Sequence, residues 1–229
     1  MPELTVVVPA YEEEENLRIL LPRLLKTLCT LGITYEVLVV DTMQAMDNTK
    51  IVCEENGVHY INRERGNCYG DAIRTAIAKA QGNLILFMDG DGSHTPEYIP
   101  HLVENIVDND VVIASRYVNG GTTDNPIVLI LMSKVVNIFY SLILNLNCKD
   151  VSNSFKIYRA ELLKPLKLKC DNFDIVEEIL FKMKLNKSSL KIKEIPHTFK
   201  KRMFGNTKRN LFLFMFSYFV TLIKLRITK

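Results

Sequence analysis

Residues 84–94 read LILFMDGDGSH, five apolar residues that run without a break into Asp89-Gly90-Asp91-Gly92-Ser93-His94. A short continuous apolar run bounded by turn residues is the pattern of a strand buried on both faces, and such strands belong to parallel sheets covered by helices. Gly90 and Gly92 let the chain bend sharply after it. Open α/β sheets bind their ligands beyond the carboxyl ends of the strands. Carboxylates at such a tip are costly to bury without a cation or hydrogen-bond donors. Oxygen ligands at this spacing suit Mg²⁺ or Mn²⁺, which combine carboxylates with phosphate oxygens, so Asp89 and Asp91 are the expected metal ligands. An isolated Asp-X-Asp is a common way to end a strand. The apolar run before this one, and the polar residues at neighbouring strand ends, are what single it out.

The same pattern repeats outward. LTVVVP (4–9) is a first strand, followed by a helix over 12–31 with Leu17, Leu20, Leu21, Leu24, Leu25 and Leu28 at helical spacing. YEVLVV (35–40) is a second strand and ends at Asp41. Helices are expected at 49–56, 71–80 and 96–107, and further strands at 58–61 and 111–114. Gly57 and Gly82 stop two of the helices. The alternation predicts an α/β fold: an open, mostly parallel sheet with helices on both faces. Its strand ends would gather Pro9 to Glu12, Asp41, Arg63, Asp89, Asp91 and Arg116. After residue 120 the rhythm changes to a long apolar helix (126–146), a loop, a helix (174–185), a strand (190–195) and an apolar tail (210–226).

The formal charge of +3 conceals a split: residues 149–229 carry 19 Lys and Arg against 7 Asp and Glu, a net +12, whereas residues 1–148 carry a net −9. Either Lys-rich surface helices fall late in the chain, or the last third faces something anionic such as a lipid headgroup layer or a phosphate. Nucleic acid is not an expected partner. At 48% hydrophobic and 24% charged residues a packed core is expected. The five cysteines are scattered and lack a CxxC, which argues against a disulfide framework or a zinc site and for reduced thiols in the cytosol. The N-terminus runs directly into a strand pattern rather than a signal peptide. The apolar run 211–223 falls short of the roughly 20 residues that span a bilayer, and polar residues interrupt 126–146. Both read as amphipathic helices lying in an interface or against protein. Phe212, Phe214, Phe216, Tyr218 and Phe219 would face lipid, with Lys224, Arg226 and Lys229 at the headgroups. A second copy of the chain or a partner membrane protein would serve such an aromatic surface equally well.

VVVPAYEEEENL (6–17), VLVVD (37–41), the run from Arg63 to Pro100, IASRYVNGG (113–121), DVSNSFKIYRAELL (150–163), FDIVEEIL (173–180) and EIPHTFKKRMFGNTK (194–208) follow one another in family order. In them the chain resembles family 2 glycosyltransferases of the GT-A, Rossmann-like fold, and most closely their dolichol-phosphate mannosyltransferase-like, polyprenyl-phosphate glycosyltransferase branch. The resemblance implies transfer of a sugar from UDP-GlcNAc, UDP-glucose or GDP-mannose to a dolichyl or polyprenyl phosphate. Transfer would be a direct, inverting displacement assisted by Mg²⁺ or Mn²⁺, at the cytoplasmic face of a membrane to which the protein binds peripherally. Residues 1–125 would form the nucleotide-sugar half of one domain and 126–229 its acceptor-binding, membrane-associating part. Pro9, Tyr11 and Glu13 would lie against the nucleotide, Asp41 would hold its base or ribose, and Asp71 would approach the donor. Asp89 and Asp91 would hold the metal on the diphosphate. Arg116 would contact the acceptor phosphate, with Lys134 on the membrane-proximal helix as a further candidate. Arg202 and Lys208 would close a basic loop over the phosphates. His94, His197 and Glu178 could join the site, a satisfied structural role being the better fit for His197 and Glu178.

Departures from the family pattern bear on the donor. Thr42 stands where a second acid is usual after the second strand, and the usual SGF[RK] segment reads SNSFK, with Asn153 taken as the glycine position. Other classes fit less well. No glycine fingerprint of a nicotinamide dehydrogenase follows the first strand, no GxxxxGK[ST] loop is present, and PAYEEEE (9–15) is opposite in charge to a nucleotidyltransferase loop. A soluble glycan acceptor is opposed by the two apolar helices, and an inactive scaffold is favoured only by Thr42.

Overall fold

Side chains alternate across the strands and divide between two apolar layers. Val6, Val8, Val37, Val39, Leu86, Val112 and Ala114 fall in one layer; Val7, Leu38, Val40, Ile85, Phe87, Val111 and Ile113 fall in the other. Burial on both faces is what continuous β-branched runs are suited to, and it forces helices onto both sides of the sheet. The computed structural model describes residues 1–205 and 211–227.

In chain order the elements are β1 (Leu4–Pro9), α1 (Glu14–Leu28), β2 (Tyr35–Asp41), α2 (Thr49–Glu55), β3 (His59–Asn62), α3 (Tyr69–Lys79), β4 (Leu84–Phe87), α4 (Ile99–Asn105), β5 (Val111–Ser115), β6 (Thr122–Thr123), α5 (Ile127–Ile143), β7 (Lys156–Arg159), α6 (Ala160–Leu163), α7 (Ile175–Asn186), β8 (Ile192–Pro196), β9 (Thr198–Phe199) and α8 (Leu211–Ile227). Among the described residues seven strands form one sheet in the order β3-β2-β1-β4-β7-β5-β8, and β6 pairs with β9 in a small second sheet. β1 pairs in parallel with β2 and β4, β2 with β3, and β5 with β8. Leucines of α1 pack on one face together with α2 and α4; residues of α3, α5, α7 and α8 cover the other.

One strand departs from the expected pattern. β7 falls in the stretch expected to be loop, and it runs antiparallel between β4 and β5. Its sequence, KIYR, is short and begins and ends on a charge, so it carries no apolar run. Lys156 is nevertheless fully buried and donates through Nζ to the Val151 carbonyl at 2.7 Å. Burial pushes it down to about 8, while Glu177 on α7, also fully buried, is pushed up to about 8. The reversal of β7 brings residues 150–155 to the carboxyl ends of β4 and β5.

α5 and α8 pack together. The Tyr140 hydroxyl donates to the Tyr218 carbonyl at 2.7 Å, the two rings meet edge to face at 5.8 Å, and Thr221 donates to Asp174 at 2.5 Å. Tyr218 is therefore buried and does not face lipid as expected: the turn of α8 carrying Tyr218, Leu222 and Leu225 is drawn into the core. The side chains of Phe212, Phe214, Phe216 and Phe219 lie outside the description. The opposite side of α5 does expose an apolar stripe: Val128, Leu131, Val135, Ile138 and Leu142 recur every three or four residues, and Ile223 and Ile227 of α8 are exposed as well. Among the described residues no helix is long and apolar enough to cross a membrane.

Candidate active site at the carboxyl ends of the strands

β4 ends in the turn that carries Asp89 and Asp91, and among the described residues each carboxylate is oriented by one donor. Ser154 Oγ donates to Asp89 Oδ1 at 3.0 Å; the backbone N–H of Ser93 donates to Asp91 Oδ1 at 3.0 Å. The backbone N–H of Asp89 donates to His94 Nδ1 at 2.9 Å. Burial lowers the pKa of His94, so the ring is neutral and its proton sits on Nε2, 3.9 Å from Asp89 Oδ2. His94 is stacked on Phe155 at 4.8 Å, which fixes the ring. Its Nε2 has no hydrogen-bond partner among the described residues.

A strap from the C-terminal third crosses this turn. Lys200 N–H donates to the Ser93 carbonyl and Met203 N–H to the Asp91 carbonyl at 2.9 Å. The Met203 side chain lies against Gly92, whose φ of +80° and lack of a Cβ make room for it. Arg202 reaches across to Glu13 at 3.0 Å, and Phe204 N–H donates to Asn16 on α1 at 3.0 Å. Burial raises the pKa of Glu13, against the opposing effect of Arg202. Glu13 and Arg202 thus meet each other at the site, an arrangement their 189-residue separation hides. Lys208 lies outside the described residues.

Arg116, after β5, is held by Asp150. Asp150 accepts from the Arg116 backbone N–H (2.7 Å), Nε (2.9 Å) and Nη2 (2.6 Å). Nη2 also donates to Ser152 Oγ at 3.1 Å. Asn137 of α5 donates to the same Ser152 oxygen at 2.9 Å and accepts from the Ser152 N–H at 2.9 Å. Asp150 is fully buried and raises the pKa of Arg116 against its desolvation. Arg116 lies over the Tyr117 ring at 4.9 Å, and Lys134 approaches the same ring at 5.7 Å. Arg116 and Lys134, read separately from the sequence, are thereby neighbours, with Lys134 exposed.

The β1, β2 and β3 ends form the other half. Asp41 is fully buried, accepts from the Tyr60 hydroxyl at 3.0 Å, and is raised in pKa by burial. Thr42 donates to the Gln44 carbonyl at 2.6 Å. Asn62 donates to the Thr42 carbonyl and to Tyr60. Arg63 ties the loop 66–68 to the tip of β1 by donating to the carbonyls of Ala10, Asn67 and Cys68. Pro9 is buried at the end of β1, Tyr11 is exposed, and Glu12 between them and α1 has the unusual φ of 54°. Asp71 is buried as well. It caps α3 by accepting from the Cys68 N–H and pairs with Arg74 at 2.8 Å.

His197 packs among Tyr98 (4.7 Å), Phe155 (5.2 Å) and His94 (6.5 Å). Neither ring nitrogen has a hydrogen-bond partner among the described residues, and burial lowers its pKa from 6.5 to about 3. The unfolded chain therefore takes up a proton near pH 6.5 that the folded chain refuses until about pH 3. Stability from this group is complete above pH 6.5 and is lost as pH falls, by about 1.4 kcal/mol per pH unit between the two values. His197→Phe is expected to flatten the fall in melting temperature between pH 7 and 5; an unchanged slope would assign the acid sensitivity elsewhere.

The donor set fits a hard divalent ion. Asp89 Oδ2 and Asp91 Oδ2 accept no hydrogen bond from the described residues, and no cluster of three or more His, Cys, Asp or Glu gathers to hold a metal among them. Two carboxylate oxygens leave most of an octahedral shell to phosphate oxygens and water, as Mg²⁺ and Mn²⁺ prefer. Ser154, Asp150, Ser152, Asn137 and Asn16 were not singled out from the sequence. DVSNSFK was, and Asp150 leading a strand-end segment is the one signal it carried. Counted back from Phe155-Lys156, the glycine position of SGF[RK] is Ser154, not Asn153.

The model of the family described as "Glycosyl transferase family 2" matches residues 5–166. The chain is 33% identical over 214 residues to a dolichol-phosphate mannosyltransferase of Pyrococcus furiosus, aligning 90% of itself but spanning only 59% of that relative's length. It is 30% identical over 218 residues to an undecaprenyl-phosphate mannosyltransferase of Micrococcus luteus, over 88% of this chain and 85% of the relative. Glucosyl-3-phosphoglycerate synthase from Mycobacterium tuberculosis, crystallised with Mn²⁺, UDP and phosphoglyceric acid, superposes with a TM-score of 0.73 at 19% identity, covering 98% of this chain and 78% of that one. The fold is GT-A, and with the family model covering most of the chain, the protein belongs to glycosyl transferase family 2.

Proposed function

We propose that the protein transfers a sugar from a nucleotide-sugar to a dolichyl or other polyprenyl phosphate at a membrane surface, on its cytoplasmic face. The observation that carries this reading is a juxtaposition. The Asp89–Asp91 turn and the braced Arg116 share one edge of the sheet, and Arg116 is joined through Ser152 and Asn137 to α5, whose outer side is an exposed apolar stripe. An anionic headgroup on an apolar tail matches that pairing of guanidinium and apolar helix. The relatives named for dolichol and undecaprenyl phosphates support the same acceptor class.

Residues 1–125 would bind the donor, with Pro9, Tyr11 and Glu13 along the nucleotide, Asp41 at its base or ribose, and Asp71 behind. The donor would be UDP-GlcNAc, UDP-glucose or GDP-mannose. Residues 126–229 would bind the acceptor and the membrane, with Lys134 and Lys208 adding positive charge. Asp89 and Asp91 would hold Mg²⁺ or Mn²⁺, which when bound supplies Lewis-acid stabilisation of the charge on the departing diphosphate. A lipid monophosphate has a second pKa of about 6, so it is mostly dianionic at neutral pH and needs no strong base. Its oxygen forms the new bond to the anomeric carbon as the bond from that carbon to the diphosphate breaks, the electron pair leaving on the diphosphate oxygen. The task of Arg116 is to fix the attacking phosphate in line. Asp150 and Ser152 engage its Nε and Nη2, leaving Nη1 to point a donor at the phosphate. The Arg202–Glu13 pair holds the strap over the donor side.

Incubating the protein with vesicles containing polyprenyl phosphate and a panel of labelled UDP- and GDP-sugars is the direct test. Label should move into the lipid extract with one donor and require Mg²⁺ or Mn²⁺. Transfer to a free oligosaccharide instead, with none to lipid, would overturn the acceptor assignment.

A further inference from the structure

We propose that Ser154 is a positioning residue that makes Asp89 a one-oxygen ligand, and that it thereby sets the preference of this site for small octahedral cations over Ca²⁺. The inference rests on the metal reading of Asp89 and Asp91 given above.

Ser154 is buried at the entry to β7, and its neighbours hold it in place. Asn153 donates to the Ala114 carbonyl at 2.5 Å, Asn153 Oδ1 accepts from the Phe155 N–H at 3.1 Å, and Ala114 N–H donates to the Phe155 carbonyl at 3.0 Å. The backbone on either side of Ser154 is therefore fastened to β5. Its hydroxyl has a single proton, and that proton is directed at Asp89 Oδ1, 3.0 Å away. The other oxygen, Oδ2, accepts no hydrogen bond from the described residues and lies 3.9 Å from His94 Nε2. On Asp91 the Ser93 N–H does the same to one oxygen. The turn thus presents two carboxylates, each with one oxygen engaged by protein.

This matters to ion choice because the cations differ in what they ask of a carboxylate. Mg²⁺ holds about six ligands at about 2.0–2.1 Å in near-ideal octahedral geometry, whereas Ca²⁺ takes 6–8 at about 2.3–2.6 Å and readily accepts bidentate carboxylates. A carboxylate locked by a hydrogen bond on Oδ1 resists turning to chelate with both oxygens. Without the hydroxyl, Asp89 gains that freedom, and the larger ion gains a ligand. The residue matters all the more because Ser154 falls at the glycine position of the SGF[RK] pattern, where no side-chain donor exists.

The test uses the full chain with nucleoside diphosphate and no acceptor, so that binding rather than turnover is read. Mn²⁺ is titrated by electron paramagnetic resonance, with Mg²⁺ and Ca²⁺ as competitors. Ser154→Ala and Ser154→Gly should each weaken Mn²⁺ binding about 10-fold and raise the ratio of Ca²⁺ to Mg²⁺ affinity by a similar factor, while Ser154→Thr restores both. Wild-type affinity and ion ratio in folded Ser154→Ala and Ser154→Gly would overturn the inference. Asp89→Asn separates the two levels. If it abolishes Mn²⁺ binding while the Ser154 variants change nothing, the inference alone fails; if it too leaves Mn²⁺ bound, the metal reading fails with it.

Discussion

Asp150→Ala is expected to lose about 3–5 kcal/mol of folding stability, because it strands a buried guanidinium without its counter-charge. Three of the Arg116 hydrogen bonds go to this one carboxylate, and Arg116 has only a tenth of its side chain exposed. Arg116 cannot escape by losing its proton, since guanidinium stays charged in proteins. Asp150 also accepts no substitute by rearrangement: its own N–H is pinned to Glu194 at 2.9 Å. For a chain of this size the loss corresponds to roughly 6–20 °C in melting temperature. Asp150→Asn, which keeps the shape and part of the hydrogen bonding, should fall between. Transfer activity should drop in both, since Arg116 would no longer be aimed. A thermal melt of the alanine variant within two or three degrees of the wild type, a margin of about 1 kcal/mol, would show that Asp150 does not carry Arg116.

Asp89→Ala is expected to have the opposite signature. Asp89 is partly exposed at the strand tip and receives one hydroxyl bond, so its loss should cost little stability. Turnover should fall by a factor on the order of 10³, the scale on which removing a preorganised group that stabilises transition-state charge acts. In the wild type, Mn²⁺ with nucleoside diphosphate should raise the melting temperature by binding the native state; in Asp89→Ala that rise should vanish. Full turnover, or an undiminished Mn²⁺-dependent rise, would contradict the role given to this residue.

Much of this arrangement was legible in the sequence. β1, β2, β4 and β5 and their covering helices followed from apolar runs and leucine spacing, because burial on two faces leaves a one-dimensional trace; the half-exposed edge strand β3 followed from the alternation of elements. The placement of Asp41, Asp89 and Arg116 followed from the rule that these sheets work at one edge. β7 left no such trace: four residues, two of them charged, read as loop, although Lys156 is as buried as the valines beside it. The brace around Arg116 was hidden for another reason. Asp150 and Arg116 are 34 residues apart, and their pairing depends on the unseen strand that brings residue 150 to the edge. Tyr218 was assigned to lipid on composition alone; a helix with apolar residues all round does not reveal which side the core will take.

A strand that runs backwards through a parallel sheet exchanges the duties of its two ends. In β1, β4 and β5 the chain leaving the strand forms the candidate site; in β7 it is the chain arriving, and the departing end turns away at Ala160, whose N–H bonds to Asn83 ahead of β4. The segment between Ile143 and Asp150 therefore leads into the site edge of the sheet, and its buried Leu144, Leu146 and Cys148 anchor it in the core. A change of length there would shift Asp150, and with it Arg116, beside the place where the acceptor would enter, while the ladder of Lys156–Arg159 stayed in register.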